Sequence, residues 1–167
     1  RSFINNTGVE ERRVAGENTA TSDLCEKAAN ALLDKLQWDR DSIDALIFVS
    51  QSPDYFLPAT SAILQHKLGL KKSCVAFDIN LGCSGYVYGL YVLSNLLTSG
   101  ACRRGLLLAG DKSTLSTNYK DKSTFPLFGD AGTATALEYD EKAGPVFFNL
   151  FTDGSGYKSI MIQDGGC

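Results

Sequence analysis

The run Ala45-Leu46-Ile47-Phe48-Val49 carries five consecutive apolar side chains between two stretches of helical periodicity. A strand with one wet face alternates. A strand apolar at every position has both faces covered, as a parallel strand between two layers of helices does. The flanking patterns agree. Leu24, Ala28, Ala31, Leu32 and Leu36 recur at helical spacing, behind N-cap oxygens offered by Thr21, Ser22 and Asp23 with Glu26 in the following turn. Pro58 is placed to open a second helix through Ala62, Ile63 and Leu68, with Gly69 to end it.

Further strands are expected at Cys74–Phe77, Gly105–Ala109, Ala134–Tyr139 and Val146–Phe151, the last two separated by a turn over Asp140–Gly144. A long helix from Cys83 to Ser99 is expected to bury Val87, Leu90, Tyr91 and Leu97, with Gly100 as its stop. Helices alternating with apolar strands predict an α/β fold, layered α-β-α around a mostly parallel mixed sheet. A chain of 167 residues with 44% hydrophobic content supports one core, so residues 1–167 are expected to form one domain. No internal repeat or linker interrupts it.

Several functions are disfavoured. The net charge is −3, and basic residues come in pairs (Arg12–Arg13, Lys71–Lys72, Arg103–Arg104), so no nucleic-acid partner is expected. No apolar run approaches the roughly 18–20 residues of a membrane span, and no charged-then-apolar leader opens the chain. The expectation is a cytoplasmic protein without a membrane partner. The cysteines, at positions 25, 74, 83, 102 and 167, are odd in number and widely spaced, which argues against a disulfide scaffold. With no C-x-x-C pair and His66 the sole histidine, metal ligands are scarce, and no cofactor is expected.

Chemistry concentrates in Asp78-Ile79-Asn80-Leu81-Gly82-Cys83-Ser84-Gly85-Tyr86. A buried strand ends, the chain turns, and a cysteine falls at the start of a long helix. Ligands of α/β sheets bind beyond the carboxyl ends of the strands. A thiol there meets the positive end of a helix, which favours thiolate. Gly82 and Gly85 on either side let backbone or substrate approach closely. The spacing alone leaves a reactive cysteine and a merely buried one both open.

The segment from Asp78 to Tyr86, with Gly89 one turn on, resembles the nucleophile segment of ketoacyl-ACP synthase III, whose cysteine precedes a small residue and a glycine. Three more stretches match in order. Thr7-Gly8-Val9-Glu10-Glu11-Arg12-Arg13 is similar to the family's early T-G-I-x-E-R segment. Phe128-Gly129-Asp130-Ala131-Gly132-Thr133-Ala134 resembles its F-G-D-G-A-G-A turn, and Thr152-Asp153-Gly154-Ser155 its S-D-G-S. Leu57-Pro58 and Phe77-Asp78 also have equivalents in the family. The resemblance spans nearly the whole chain.

It implies the amino-terminal half of a thiolase-like fold with Cys83 as nucleophile. The thiolate would take an acyl group from an acyl-CoA or acyl-ACP donor. Malonyl on acyl carrier protein would then decarboxylate and condense to a β-ketoacyl product. The family's enolate-stabilising histidine and asparagine lie in a second half, before which this chain stops, at Gly165-Gly166-Cys167. The isolated chain is therefore expected not to complete condensation. The positions of the tryptophan and arginine that hold the CoA adenine in familiar members fall on Ser2 and Asn6, and a third, arginine position falls on Lys122. Weak CoA binding and an ACP-borne or unusual acyl group follow from that. Leu57 matches the residue that enters the partner's acyl tunnel in the family's homodimer, and it is smaller than the phenylalanine often found there.

The other residues of interest read as structural. The 128–134 segment lacks a P-loop's Lys-Ser/Thr and the G-x-G-x-x-G spacing, so tight packing is the better reading. Asp78 is expected to fix the strand–helix turn, His66 to face solvent, and Tyr86, Tyr88 and Tyr91 to pack or line a tunnel. Lys120 and Lys122 are expected in a solvated loop able to meet an anionic carrier. The alternatives are another thiolase-fold acyltransferase (type III polyketide synthase or HMG-CoA synthase type), a non-catalytic partner subunit, and a small binding module.

Overall fold

A computed structural model describes residues 2–162; Arg1 and residues 163–167, with Gly165, Gly166 and Cys167, lie outside it. Strands β1 (Ala45–Val49), β2 (Val75–Ile79), β3 (Arg104–Lys112) and β4 (Asp130–Glu138) form a sheet in the order β2-β1-β3-β4. β1 pairs parallel with both β2 and β3, and β4 returns antiparallel along β3. The helices are α1 (Ser2–Thr7), α2 (Thr21–Leu36), α3 (Thr60–Lys67) and α4 (Gly85–Thr98). Helices α2 and α3 cover one face of the sheet and α4 the other, giving the expected α-β-α layering.

The central strand explains its own composition. Leu46 and Phe48 pack with Cys25, Ala29, Leu33, Leu64 and Leu68 beneath α2 and α3. Ala45, Ile47 and Val49 pack with Leu93 and Leu97 of α4. Every residue of β1 is buried, and each large side chain contributes about 1.5–3 kcal/mol by leaving water.

Helix α4 lies close to the sheet because small and large residues alternate across the contact. Its buried stripe is Gly85, Gly89, Leu93 and Leu97, one residue per turn. A Cβ on Gly85 would stand 2.6 Å from Val49 Cγ1, and one on Gly89 2.6 Å from Leu107 Cδ1. The relation inverts one turn later, where Leu93 fills the space that a Cβ on Gly105 would need, 2.4 Å from Leu93 Cδ1. Gly85 therefore serves the close approach of helix backbone to sheet. Val87 and Tyr91, expected inside, lie on the exposed outer face of α4, whereas Leu97 is buried and Leu90 packs against the core.

Other boundaries shift for identifiable reasons. β4 starts at Asp130, four residues before the expected Ala134, because its ladder with β3 extends to the Lys112–Asp130 pair. α2 takes Ala20 as its N-cap residue, and Asp23 reaches back to accept from the Ala20 N–H at 2.9 Å. Thr21 and Ser22 turn instead to the loop after β1: Thr21 Oγ1 donates to Ser52 O (2.7 Å), and Ser22 N–H donates to Asp54 Oδ1 (3.0 Å). α3 opens at Thr60 rather than Pro58. Asp78 of β2 accepts from the Thr60 and Ser61 amides at 2.9 and 2.8 Å, so it caps α3 and does not fix the turn into α4. Gly69 and Gly100, at φ +65° and +80°, carry the chain out of α3 and α4 in a conformation other residues adopt at a cost.

Val146–Phe151 is not a strand. It runs beside α4, where Tyr88 Oη donates to Phe151 O at 2.9 Å and Phe148 meets Tyr91 edge-on at 5.4 Å. No described strand offers it backbone partners, without which a β conformation has no ladder. Phe147 and Phe151 are left 88% and 82% exposed.

Candidate active site

Cys83 sits in the turn between β2 and α4, one residue ahead of the N-cap Ser84 and two ahead of the first helical residue. The helix thus starts slightly later than its periodicity suggested. The Gly85 N–H donates to Gly82 O at 2.8 Å, closing the turn. Cys83 is exposed, beyond the carboxyl end of β2 and at the amino end of α4. The other described cysteines are buried. Burial pushes the Cys25 thiol up to about 12 and the Cys74 thiol to about 11, and it raises Cys102 as well. Among the described residues Cys83 is therefore the accessible thiol.

Beneath the turn lies a hydrogen-bonded floor that the sequence reading missed. A single oxygen of Asp111, Oδ1, accepts from Ser50 Oγ (3.0 Å), Gln51 N–H (2.8 Å), Ser52 N–H (3.1 Å) and Ser52 Oγ (3.1 Å). Asp111 belongs to β3 and the serines follow β1, so one carboxylate ties together the ends of two parallel strands. The side chain of Gln51 then lies over Gly82: a Cβ there would be 2.7 Å from Gln51 Oε1 and 3.4 Å from Nε2. The available signal was a carboxylate following the apolar run Leu106–Ala109, at the end of a strand where ligands of such sheets bind.

The four motifs meet in pairs. The first joins the third: Asp130 N–H donates to Arg13 O (2.8 Å), Arg12 Nη1 donates to Phe128 O (3.1 Å), and the Arg12 guanidinium lies 4.0 Å over the Phe125 ring. Asp130 is buried and accepts from Ala15 N–H, Thr114 N–H and Thr114 Oγ1 at 2.7–3.0 Å. Burial works against its charge, but those donors and Lys112 together hold its carboxyl below the usual range. A Cβ on Gly132 would come 2.5 Å from Cys25 N and from Leu24 C, which is tight packing against the start of α2. Tyr88, just past the second motif, reaches the fourth: its Oη donates to Phe151 O and lies 3.1 Å from Thr152 Oγ1.

A family model for 3-oxoacyl-[acyl-carrier-protein (ACP)] synthase III matches residues 77–154, from the middle of β2 into the fourth motif. The beta-ketoacyl-[acyl-carrier-protein] synthase III of Syntrophomonas wolfei is 36% identical over 165 residues, covering 98% of this chain and 49% of its own. A beta-ketoacyl-[acyl-carrier-protein] synthase III 2 of Staphylococcus epidermidis is 40% identical over 149 residues, covering 89% of this chain and 45% of its own. The crystal structure of a 3-oxoacyl-(acyl-carrier protein) synthase from Burkholderia xenovorans LB400 superposes with a TM-score of 0.92 at 45% identity, covering all of this chain and 48% of that one. Over nearly its whole length the chain is similar to 3-oxoacyl-ACP synthase III proteins. It spans about half the length of the curated relatives it matches.

The residues carried over from the synthase III resemblance gather at one end of the sheet without touching. Cys83 follows β2, Leu57 lies in the loop between β1 and α3, and Lys122 lies in the connection from β3 to β4. Among the described residues no hydrogen bond or ion pair joins them. Leu57 is 86% exposed, and Lys122 is exposed in a turn that Asp121 holds by accepting from Ser123 N–H and from the Ser123 and Thr124 hydroxyls. Asn6 is exposed on α1. His66 is exposed on α3, on the opposite face of the sheet from α4. A cleft of about 450 Å³ lies between the carboxyl half of α4 and residues 137–148, at the other end of the sheet from Cys83. It is remote from the thiol. No described helix is long and apolar enough to cross a membrane.

Proposed function

We propose that the chain serves a condensing acyltransferase of the synthase III type, with Cys83 as the acyl-accepting nucleophile. The observation that carries this reading is the exposed thiol at the amino end of α4, beyond the carboxyl ends of parallel strands, while the other described thiols are buried. In the first half-reaction the Cys83 thiolate attacks the carbonyl carbon of an acyl thioester. A carbon–sulfur bond to Cys83 forms, the bond to the carrier sulfur breaks, and the carrier departs as a thiolate that takes up a proton. In the second, malonyl on acyl carrier protein loses carbon dioxide, and the resulting enolate carbon attacks the acyl carbon. The β-ketoacyl product stays on the carrier, and Cys83 is released as thiolate.

In this reading residues 1–167 act as one thiolase-like unit in the cytoplasm. Lys122 meets the anionic end of an acyl-CoA or acyl-ACP donor. A homodimer forms along β2, a sheet edge whose Val75 is 45% exposed, and Leu57 enters the partner's acyl tunnel.

The test is the intact mass of the full-length protein after incubation with acyl-CoAs and acyl-ACPs of graded length. Cys83→Ala and Leu57→Trp run beside it. An acyl increment that vanishes in Cys83→Ala, with a shorter longest chain in Leu57→Trp, supports the reading. No increment from any donor, with the protein folded and Cys83 free, overturns it in favour of a non-catalytic partner subunit.

A further inference from the structure

Within the connection from β3 to β4, residues 118–128 fold on themselves. Asp121 N–H donates to Asn118 O (2.9 Å), and Phe125 N–H donates to Asp121 O (3.1 Å). The Asp121 carboxylate accepts from Ser123 N–H and from the Ser123 and Thr124 hydroxyls, and the Leu127 and Phe128 amides return to Thr124 O at 3.0 and 3.4 Å. The loop's shape is therefore its own, but its place is not. Among the described residues a single hydrogen bond ties 118–128 to the rest of the molecule, from Arg12 Nη1 to Phe128 O at 3.1 Å. The same guanidinium lies 4.0 Å over the half-buried Phe125 ring.

Arg12 is in turn fixed to the sheet. Asp130 N–H donates to Arg13 O (2.8 Å), Ala15 N–H donates to Asp130 Oδ2 (2.9 Å), and Lys112 Nζ donates to Gly16 O and Glu17 O at 3.0 Å. Asp130 opens β4 and Lys112 ends β3, and both are buried. A Cβ on Gly129 would stand 2.9 Å from Arg13 O, so the segment bearing Arg12 lies flat against the end of the loop. A firmly mounted cation thus clamps a loop that carries Lys122 three residues before Phe125.

We infer that Arg12 is a positioning residue for the donor: by clamping Phe125 and Phe128 it holds the 118–128 loop closed, and so keeps Lys122 where the donor's anionic end binds. The inference rests on the reading of Lys122 as a donor-facing residue. A cation over an aromatic face and one hydrogen bond together bias the loop toward the closed position by roughly five- to thirtyfold. Without the clamp, an exposed loop of this kind is about evenly divided between closed and open. Apparent donor affinity falls with the closed fraction, so it drops only about twofold, whereas the open fraction rises roughly three- to fifteenfold.

The experiment reads loop opening and donor affinity separately in the full-length protein. Native digestion with a lysine-specific protease reports the open population through cleavage after Lys120 and Lys122. Its reference is cleavage after Lys142, exposed in a turn at the other end of the sheet, so a change in folded fraction does not imitate the effect. Arg12→Met should raise that ratio roughly three- to fifteenfold. Phe125→Ala, which leaves the charge of Arg12 in place, should raise it similarly, and the double variant should add little. Single-turnover acylation of Cys83 by butanoyl-CoA, followed by intact mass, should show half-saturation about twofold higher in both single variants with the maximal rate unmoved. Unchanged cleavage in Arg12→Met overturns this inference alone, as does an opened loop with half-saturation unmoved. A shift in Arg12→Met without one in Phe125→Ala also overturns it, because the guanidinium then meets the donor directly. Half-saturation unchanged in Lys122→Ala overturns the donor-facing reading of Lys122, and the inference with it.

Discussion

Replacing Asp111 by alanine tests whether the floor under Cys83 is held as the geometry implies. Four hydrogen bonds converge on Asp111 Oδ1, but they are not equally exposed to its loss. The Ser50 and Ser52 hydroxyls can turn to water, and Ser52 N–H keeps a second acceptor in Ser50 Oγ at 3.0 Å. The Gln51 N–H has no other described acceptor. Hydrogen bonds to a charged group contribute about 1.5–3 kcal/mol each, and partial exposure puts these at the low end. The expected cost of Asp111→Ala is therefore about 2 kcal/mol, well below the sum of four bonds. Asp111→Asn keeps an acceptor oxygen and should cost less than about 1 kcal/mol. Urea unfolding of the full-length protein measures both. The same loop holds Gln51 over Gly82, so Cys83 acylation should slow in the alanine variant and recover in the asparagine variant. A cost below about 0.5 kcal/mol for alanine, or equal losses for alanine and asparagine, would refute the reasoning.

Gly132→Ala should destabilise more than Gly89→Ala. The first drives a Cβ into backbone atoms of α2 at 2.5 Å, whereas the second meets Leu107, a side chain that can change rotamer, and gains about 1 kcal/mol of helix propensity. Thermal unfolding of both variants decides it, and the reverse order sinks the packing reading of residues 128–134. The carboxyls of Asp23, Asp44 and Asp130 all lie below their ordinary value of 3.8. For Asp44, burial raises the carboxyl, but Lys71 and the Arg103 and Arg104 amides outweigh it. A depressed carboxyl gives stability that is complete above pH ~4–5 and lost as pH falls through the folded values below 3.8. Urea midpoints should accordingly be level from about pH 7 to 5 and fall below about pH 4, and a midpoint that rose on acidification would contradict the pairing.

What could be read in the sequence depended on whether a feature is local. β1 could be read because a central parallel strand is apolar at every position, and Cys83 because a strand, a turn and a helix follow one another within Val75–Thr98. The face of α4 was misread for a physical reason. Periodicity weighs large apolar residues, so it chose Val87 and Tyr91, but the stripe against the sheet begins with Gly85 and Gly89, whose smallness is what lets the helix approach. Val146–Phe151 has the composition of a strand, yet composition does not supply a neighbouring strand to pair with. Asp111 and Gln51 lie sixty positions apart and meet through the parallel register that sets Val49 beside Ala109, continued two residues beyond. That register is a tertiary fact with no local mark in either segment. The exposed thiol of such a site is therefore open to a reader of one sequence, whereas the carboxylate that ties the strand ends together becomes visible only once the strands are paired.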